Sequence, residues 1–431
     1  MTIMQEAQRG VITDEITAVA KAEQLDPDVV RRRVAAGHVV IPCNPAHAPQ
    51  LLGIGSGLRV KVNANIGTSR EHCHPDEEVD KARAALDVKA DAIMDLSTGG
   101  DLDALRRRLL DLVDVPFGTV PVYQAALEAI DRRGAIVDMT SDDIFNAFRR
   151  HAEQGVDFTV AHVGVTRQSV ERLKRQRRLI PMVSRGGSFH MAWILHNEEE
   201  NPLYEEFDYL LDIAAEHDLT LSLGDGMRSG ALHDSNDRAK FQELLVIGEL
   251  IERAREAGVQ SMVEGPGHMP LSDIEPNIRV MKSVTGEAPY FVLGPLVTDI
   301  APGYDHFVGG IGGAIAGYHG ADFLCYVTPA EHLSLPNVED VRQGVIASRI
   351  AAHAANLARG VDRDVDYTFS RARNELDWDK MFDLCIDPER AKQYRQRREP
   401  TEDPRSCSMC GKLCAIEMVE QYLQDEGKKH I

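Results

Sequence analysis

The chain has 431 residues, with 48 basic and 68 acidic side chains and a net charge of −20. That charge repels nucleic-acid backbones and anionic lipid, and only short basic runs such as KRQRR (174–178), read as solvated helix ends, interrupt it. No apolar run reaches the ~18 residues of a membrane span, and the opening MTIMQEAQRGVITDEITAVAKAEQLD lacks a signal peptide's apolar centre, so a cytoplasmic protein without nucleic-acid or membrane partners is expected.

Taken in chain order, residues 1–55 read as a helical N-terminal segment. GIGSGL (53–58) precedes the first strand instead of following it, so it fails as a dinucleotide-binding loop. Over residues 56–360 short β-type runs alternate with helical stretches. The runs are KVNANIG (61–67), AIMDLST (92–98), FGTVPVY (117–123), FTVAHVGV (158–165), PMVSRGG (181–187), LTLSLGDG (219–226), SMVEGPG (261–267), YFVLGP (290–295) and DFLCYV (322–327). Between them apolar residues recur at helical spacing, as with Leu105, Leu109 and Leu112. Parallel strands need crossovers, so the alternation predicts βαβ units, and eight of these close into a TIM barrel. Nine runs are one too many, and PMVSRGG is the one expected to be a loop or irregular strand. The alternative, an open doubly wound sheet, usually has fewer strands and a single phosphate loop. GGIGGAIAG (309–317) is expected to let a helix pack closely against its neighbour. Residues 361–400 read as a C-terminal helical region in which Asp387 and Pro388 start one helix. Residues 401–431 read as a flexible tail behind a polar linker.

In a TIM barrel the reactive groups gather at the C-terminal ends of the strands. Here those ends carry Asn65, Tyr123, His162, Ser184, Arg185, Gly186, Asp225, Gly226, Met227, Arg228 and Glu264. Such a set suits a polar, anionic small molecule, and Ser184 to Gly187 offers a hydroxyl, a guanidinium and approachable amides for a phosphate. His268 in EGPGH and His332 in TPAEH follow two separate strands. They read either as ordinary hydrogen-bonded histidines or as ligands of one ion with open positions.

Seven cysteines in a chain this long do not make a disulfide framework. Cys43, Cys73, Cys325 and Cys385 are scattered and read as small buried hydrophobes. SCSMCGKLC (406–414) instead gathers Cys407, Cys410 and Cys414. Soft thiolates in a short run select zinc or an iron–sulfur cluster. Structural zinc wants four ligands, and only His430 stands nearby as another. A cubane held by three cysteines leaves one iron free to bind S-adenosylmethionine and split it, on reduction, into methionine and a 5′-deoxyadenosyl radical. On spacing alone, a zinc tail or an electron-relay cluster on a metabolite-binding barrel remain as alternatives.

VNANIG, MDLSTG, GTVPVYQ, VSRGGS, SLGDG, EGPGH, LGPLVTDIAPGYDH, CYVTPAEHLSLPN and CSMCG together resemble the hydroxymethylpyrimidine phosphate synthase family of radical S-adenosylmethionine enzymes. The resemblance runs from about residue 60 to 415. It implies a TIM barrel, a homodimer with exchanged helices, 5-aminoimidazole ribotide as substrate, and reduced flavodoxin or ferredoxin as electron donor. It also implies substrate contacts at Asn65, Met94, Tyr123, His162, Ser184 to Gly186, Asp225 to Arg228 and Glu264, the last a tentative catalytic group. A divalent metal, zinc or iron, would sit on His268 and His332, and the [4Fe–4S] cluster on Cys407, Cys410 and Cys414. The tail would fold over the barrel mouth. Departures cluster at that mouth: DGMRSG replaces DGLRPG, and Phe291 replaces a substrate-contacting tyrosine. These changes favour, as an expectation, the sister reaction that yields 5-hydroxybenzimidazole and formate for the lower ligand of cobamides, with the thiamine pyrimidine synthase as the alternative.

Overall fold

The computed structural model describes residues 1–398 and 405–429. A two-residue antiparallel pair, β1 (Val39–Val40) and β2 (Ile54–Gly55), precedes the main sheet. The main strands are β3 (Lys61–Ile66), β4 (Ala92–Asp95), β5 (Phe117–Thr119), β6 (Phe158–Ala161), β7 (Thr220–Leu223), β8 (Ser261–Glu264), β9 (Tyr290–Leu293) and β10 (Phe323–Cys325). All pair in parallel, and β10 returns to β3, so the eight close into a barrel. The strands are short and buried along nearly all their length, as expected when helices cover one face and packed side chains the other.

Register fixes which side chains look inward. Asn65 is level with Met94, Met94 with Gly118, Gly118 with Phe158, Glu264 with Phe291, and Phe291 with Phe323. Gly118 is needed here, because a Cβ would collide with the Phe158 ring. Phe291 stacks on Phe323 with centroids 4.3 Å apart, and Phe158 meets Phe323 edge-on at 6.2 Å. These rings fill the barrel beneath the mouth.

The ninth run is not a strand. Ser184 is extended and its hydroxyl accepts the Gly187 N–H at 3.1 Å, which starts the helix Arg185–Asn197. A serine with that option prefers the N-cap to a ladder position. GGIGGAIAG lies in the helix Asp305–His319, where a Cβ on Gly312 would collide with the Pro295 carbonyl. The basic run corrects an expectation: Arg178 is not solvated. Only 2% of its side chain is exposed, and it holds Asp237 and the Met227 carbonyl.

The N-terminal segment closes the end of the barrel opposite the reactive strand ends. Its backbone and side chains bond the residues that lead into the strands: Ile3 N–H to Asp218, Asn44 N–H to Asp157, and Ile41 N–H to Gln260. Lys61, at the start of β3, pairs with Glu23 at 2.8 Å with both side chains buried.

Residues 1–359 form one compact unit and the remainder a second. The second holds the helices Arg363–Asn374, Trp378–Leu384, Pro388–Gln396 and Ala415–Lys429. Asp387 caps the third of these by accepting the Arg390 N–H at 3.1 Å. Of the polar linker read at 396–406, residues 399–404 lie outside the described ones. Among the described residues no helix is long and apolar enough to cross a membrane.

Candidate functional site

At the C-terminal end of the barrel a cavity is lined by Asn65, Met94, Tyr123, His162, Arg228, Glu264 and Phe291, all of them predicted site residues, together with Cys325, Leu96 and Val120. Asn65 donates to the Cys325 sulfur at 2.9 Å and accepts from Asn63 at 2.8 Å, so its amide orientation is fixed. Burial pushes the Cys325 thiol up to about 12, which makes it a neutral lining group. Tyr123 sits in the first turn of the helix Pro121–Arg133, and the Arg185 guanidinium lies over its ring at 5.2 Å. Arg185 and Gly186 open their own helix behind the Ser184 cap, which puts a guanidinium and first-turn amides at one helix start. Gly186 has no room for a side chain, since a Cβ would overlap the His162 ring.

His162 is 3% exposed, and burial, reinforced by His190 and Arg228, keeps its imidazole well below the ordinary range, hence neutral. His190, on the next turn of the Arg185 helix, is fully buried with its ring centroid 6.2 Å from that of His162. Burial and the nearby Asp225 charge raise the Glu264 carboxyl to about 7 against the opposing pull of Arg228. The Asp225 N–H donates to Glu264 at 3.3 Å, which joins the ends of β7 and β8. Met227 does not line the cavity: its side chain is fully buried in the core and its N–H is taken by Glu243 at 2.8 Å. Sequence reasoning missed Glu243 and Lys240, although both charges fall on the buried face of the helix Arg238–Ala257, beside Ala239, Ile247 and Leu250.

His268 and His332, which follow two different strands, come together. Their Nε2 atoms are 3.2 Å apart. His268 Nδ1 meets Asp299 at 2.7 Å, and His332 Nδ1 faces Asp305 at 3.5 Å. Asp299 fixes the His268 ring through Nδ1 and leaves the two Nε2 atoms facing each other, an arrangement that either an N–H···N bond between the rings or a cation on both nitrogens would satisfy. Two bonds of ~2.0–2.1 Å at a tetrahedral angle put ligand nitrogens ~3.3 Å apart, so the separation suits zinc or iron. Among the described residues no three His, Cys, Asp or Glu side chains surround one point, so the chain offers two nitrogens and open positions. Asp299 and Asp305 were not singled out from the sequence, yet both lie in the string LGPLVTDIAPGYDH.

In the second unit the Trp378 indole N–H donates to the Arg405 carbonyl at 2.7 Å, and Arg395 to the Ser406 carbonyl at 2.8 Å. These bonds tie the cysteine loop to the two helices before it. The N–H groups of Cys410 and Met409 point at the Cys407 sulfur and hold its thiol below the ordinary range. Cys410 is exposed, and Cys414, buried, starts the helix Ala415–Lys429. Three thiols within eight residues, one with amides aimed at its sulfur, fit a three-cysteine cluster in donor chemistry, although their sulfurs are not gathered round one point here.

The chain matches the Radical SAM ThiC family over residues 2–421. It is 54% identical to the phosphomethylpyrimidine synthase of Methanopyrus kandleri, over 99% of this chain and 100% of that protein. It is 55% identical to the phosphomethylpyrimidine synthase of Desulforudis audaxviator, over 98% of both chains. With that of Pyrococcus abyssi the identity is 54%, over 98% of this chain and 99% of the other. A match spanning both the barrel and the cysteine loop makes this chain an enzyme of the radical SAM ThiC family.

Proposed function

We propose that the chain is a phosphomethylpyrimidine synthase, converting 5-aminoimidazole ribotide to the phosphorylated pyrimidine used for thiamine. Support comes from relatives of that name at 54% and 55% identity over almost the whole length. The 5-hydroxybenzimidazole product expected from the mouth substitutions gives way to this reading. Those substitutions sit in a chain that shares more than half its residues with enzymes named for the pyrimidine. The observation that carries the substrate class is the single cavity joining Asn65, Tyr123, His162, Arg228 and Glu264 beside the Arg185 helix start.

Family membership implies a [4Fe–4S] cluster and S-adenosylmethionine. Held by Cys407, Cys410 and Cys414, the cluster would supply the electron that cleaves S-adenosylmethionine and so the hydrogen abstraction that begins the rearrangement. The chain's own residues bind and orient. Arg185, the amides of its first turn and the Ser184 cap hold the phosphate, with Tyr123 fixing the guanidinium from beneath. Glu264 and Asp225 accept hydrogen bonds from the amino group and ribose hydroxyls. His162, neutral, presents a ring nitrogen at the cavity wall. His268 and His332, backed by Asp299 and Asp305, would hold a divalent ion that polarises an oxygen ligand. A homodimer and a reduced flavodoxin or ferredoxin as electron donor complete the proposal.

The test is anaerobic reconstitution with iron and sulfide, then incubation with S-adenosylmethionine, a reductant and 5-aminoimidazole ribotide. A phosphorylated pyrimidine with 5′-deoxyadenosine is the expected product pair. A benzimidazole would replace this reading with the cobamide branch, and zinc binding without nucleoside formation would end both.

A further inference from the structure

Glu243 sits on a helix outside the barrel wall, yet it is only 1% exposed. Its carboxyl passes between two glycines to reach the back of the loop after β7. A Cβ on Gly164 would lie 2.5 Å from Glu243 Cγ, and one on Gly226 would lie 3.0 Å from Oε1. Oε1 accepts the Gly226 N–H at 2.9 Å, and Oε2 accepts the Met227 N–H at 2.8 Å. The same carboxyl is hydrogen-bonded to that of Asp225. Two carboxyls meet in that way only with a proton between them. One turn earlier on the helix, Lys240 is 4% exposed, and its Nζ has no hydrogen-bond partner among the described residues. Burial lowers its ammonium below the ordinary lysine range, and Asp225 is the charge that most opposes this.

We infer that Glu243 is a positioning residue for Asp225, keeping one proton for the Asp225 carboxylate while its oxygens pin the two following amides. Asp225 thereby meets the substrate from an anchored loop, with Lys240 offsetting the charge from behind. This deepens the proposed function and rests on it for the identity of the substrate. Burial, then the Asp225 charge, raises Glu243 well above the ordinary carboxyl range, which favours its protonated form. Losing that proton at alkaline pH would set two anions against each other in the core. The other charged or titratable groups facing this spot are Arg228 of the loop, Glu264 of β8, Tyr290 of β9, Lys240, and the Arg178–Asp237 ion pair. The glycines at 164 and 226 matter for the same reason: a side chain at either would close the carboxyl's path.

The test uses the full-length protein with Glu243→Gln and Glu243→Leu. Two quantities are read: 5-aminoimidazole ribotide affinity by calorimetry from neutral to alkaline pH, and hydrogen exchange of the 224–228 segment. In the wild type, affinity falls about tenfold on the alkaline side. Glu243→Gln, whose NH2 donates to Asp225 at every pH while its one oxygen keeps only one of the two backbone amides, binds up to about tenfold more weakly at neutral pH but lacks the alkaline fall. Glu243→Leu weakens binding about tenfold throughout and speeds exchange of the Gly226 and Met227 amides, while the rest of the barrel stays protected. An alkaline fall of equal size in wild type and Glu243→Gln, or unchanged amide protection in Glu243→Leu, overturns the inference. If Glu243→Leu does not fold, the Glu243→Gln pH profile decides alone. If the wild type does not bind the ribotide, the proposed substrate falls, and the exchange of the two amides judges Glu243 by itself.

Discussion

The barrel mouth and the cysteine loop assemble their donors in opposite ways. The mouth takes Asn65, His162, Glu264 and Phe291 from strand ends far apart in the chain, and covers each with buried partners. The loop takes three sulfurs from eight consecutive residues and leaves Cys410 exposed beside Met409, itself 90% exposed. A site built from a closed barrel is as rigid as the barrel. A site built from one short segment depends on its own amides and on two anchoring bonds from Trp378 and Arg395. Binding and radical generation should therefore be separable by mutation.

The largest effect expected comes from breaking the loop. Cys410→Ala should abolish 5′-deoxyadenosine formation by at least about three orders of magnitude, because a cubane with two protein thiolates is not retained. Ribotide affinity, measured by calorimetry, should stay within about twofold, since every mouth residue is untouched. A comparable loss of affinity would show that the loop is part of the binding site and would undo the contrast.

Within the mouth, Asp299→Asn removes the carboxylate that orients His268. Loss of such a partner typically costs about 10–100-fold in metal affinity. The expected readout is weaker zinc or iron retention on dialysis against a chelator, with the cluster iron of the loop unchanged. Equal retention in both proteins would mean that the two imidazoles meet for another reason.

A smaller effect concerns Glu264, whose carboxyl is raised to about 7 from an ordinary value of 4.5. The folded chain holds this proton where the unfolded chain has lost it. The stabilisation is thus full below about pH 4.5 and disappears as pH rises through about 7. Because the carboxyl borders an open cavity, the difference should be on the order of 2 kcal/mol at most. Thermal midpoints of wild type should fall relative to Glu264→Gln across that window. Parallel pH curves for the two proteins would place Glu264 in a wetter, more ordinary setting.

The two regions also differed in how far the sequence revealed them. The three thiols could be picked out by spacing because they are neighbours in the chain, although spacing alone left zinc and an iron–sulfur cluster both open. Eight strands could be read from alternation, but the ninth run turned into a helix start because one serine hydroxyl captured a backbone amide. Mouth residues at strand ends were visible because a barrel puts chemistry there. Glu243, Lys240 and Asp299 were not, because they arrive from helices and loops whose approach depends on packing rather than on position along a strand. Arg178 failed in the same sense. A cationic run looks solvated until Asp237 and a carbonyl are folded against one member of it.

The smallest effect expected is from Phe291→Tyr combined with Met227→Leu, the two exchanges toward the residues that the sequence resemblance puts at these positions. Phe291 is 4% exposed, stacks on Phe323 at 4.3 Å, and lies level with Glu264 across the β8–β9 pairing. A hydroxyl added there reaches a cavity that already contains polar groups, so it is not left stranded. Met227 faces the core, where a leucine conserves volume and costs less than about 1.5 kcal/mol. The double variant should keep kcat/KM within about threefold and yield the same phosphorylated pyrimidine, identified by mass spectrometry. Its behaviour sharpens the contrast from the side of the mouth. If wild type and variant partition differently between pyrimidine and benzimidazole, then one ring beneath the mouth and one core side chain that does not line the cavity steer a rearrangement that the shared scaffold and the cysteine loop leave open.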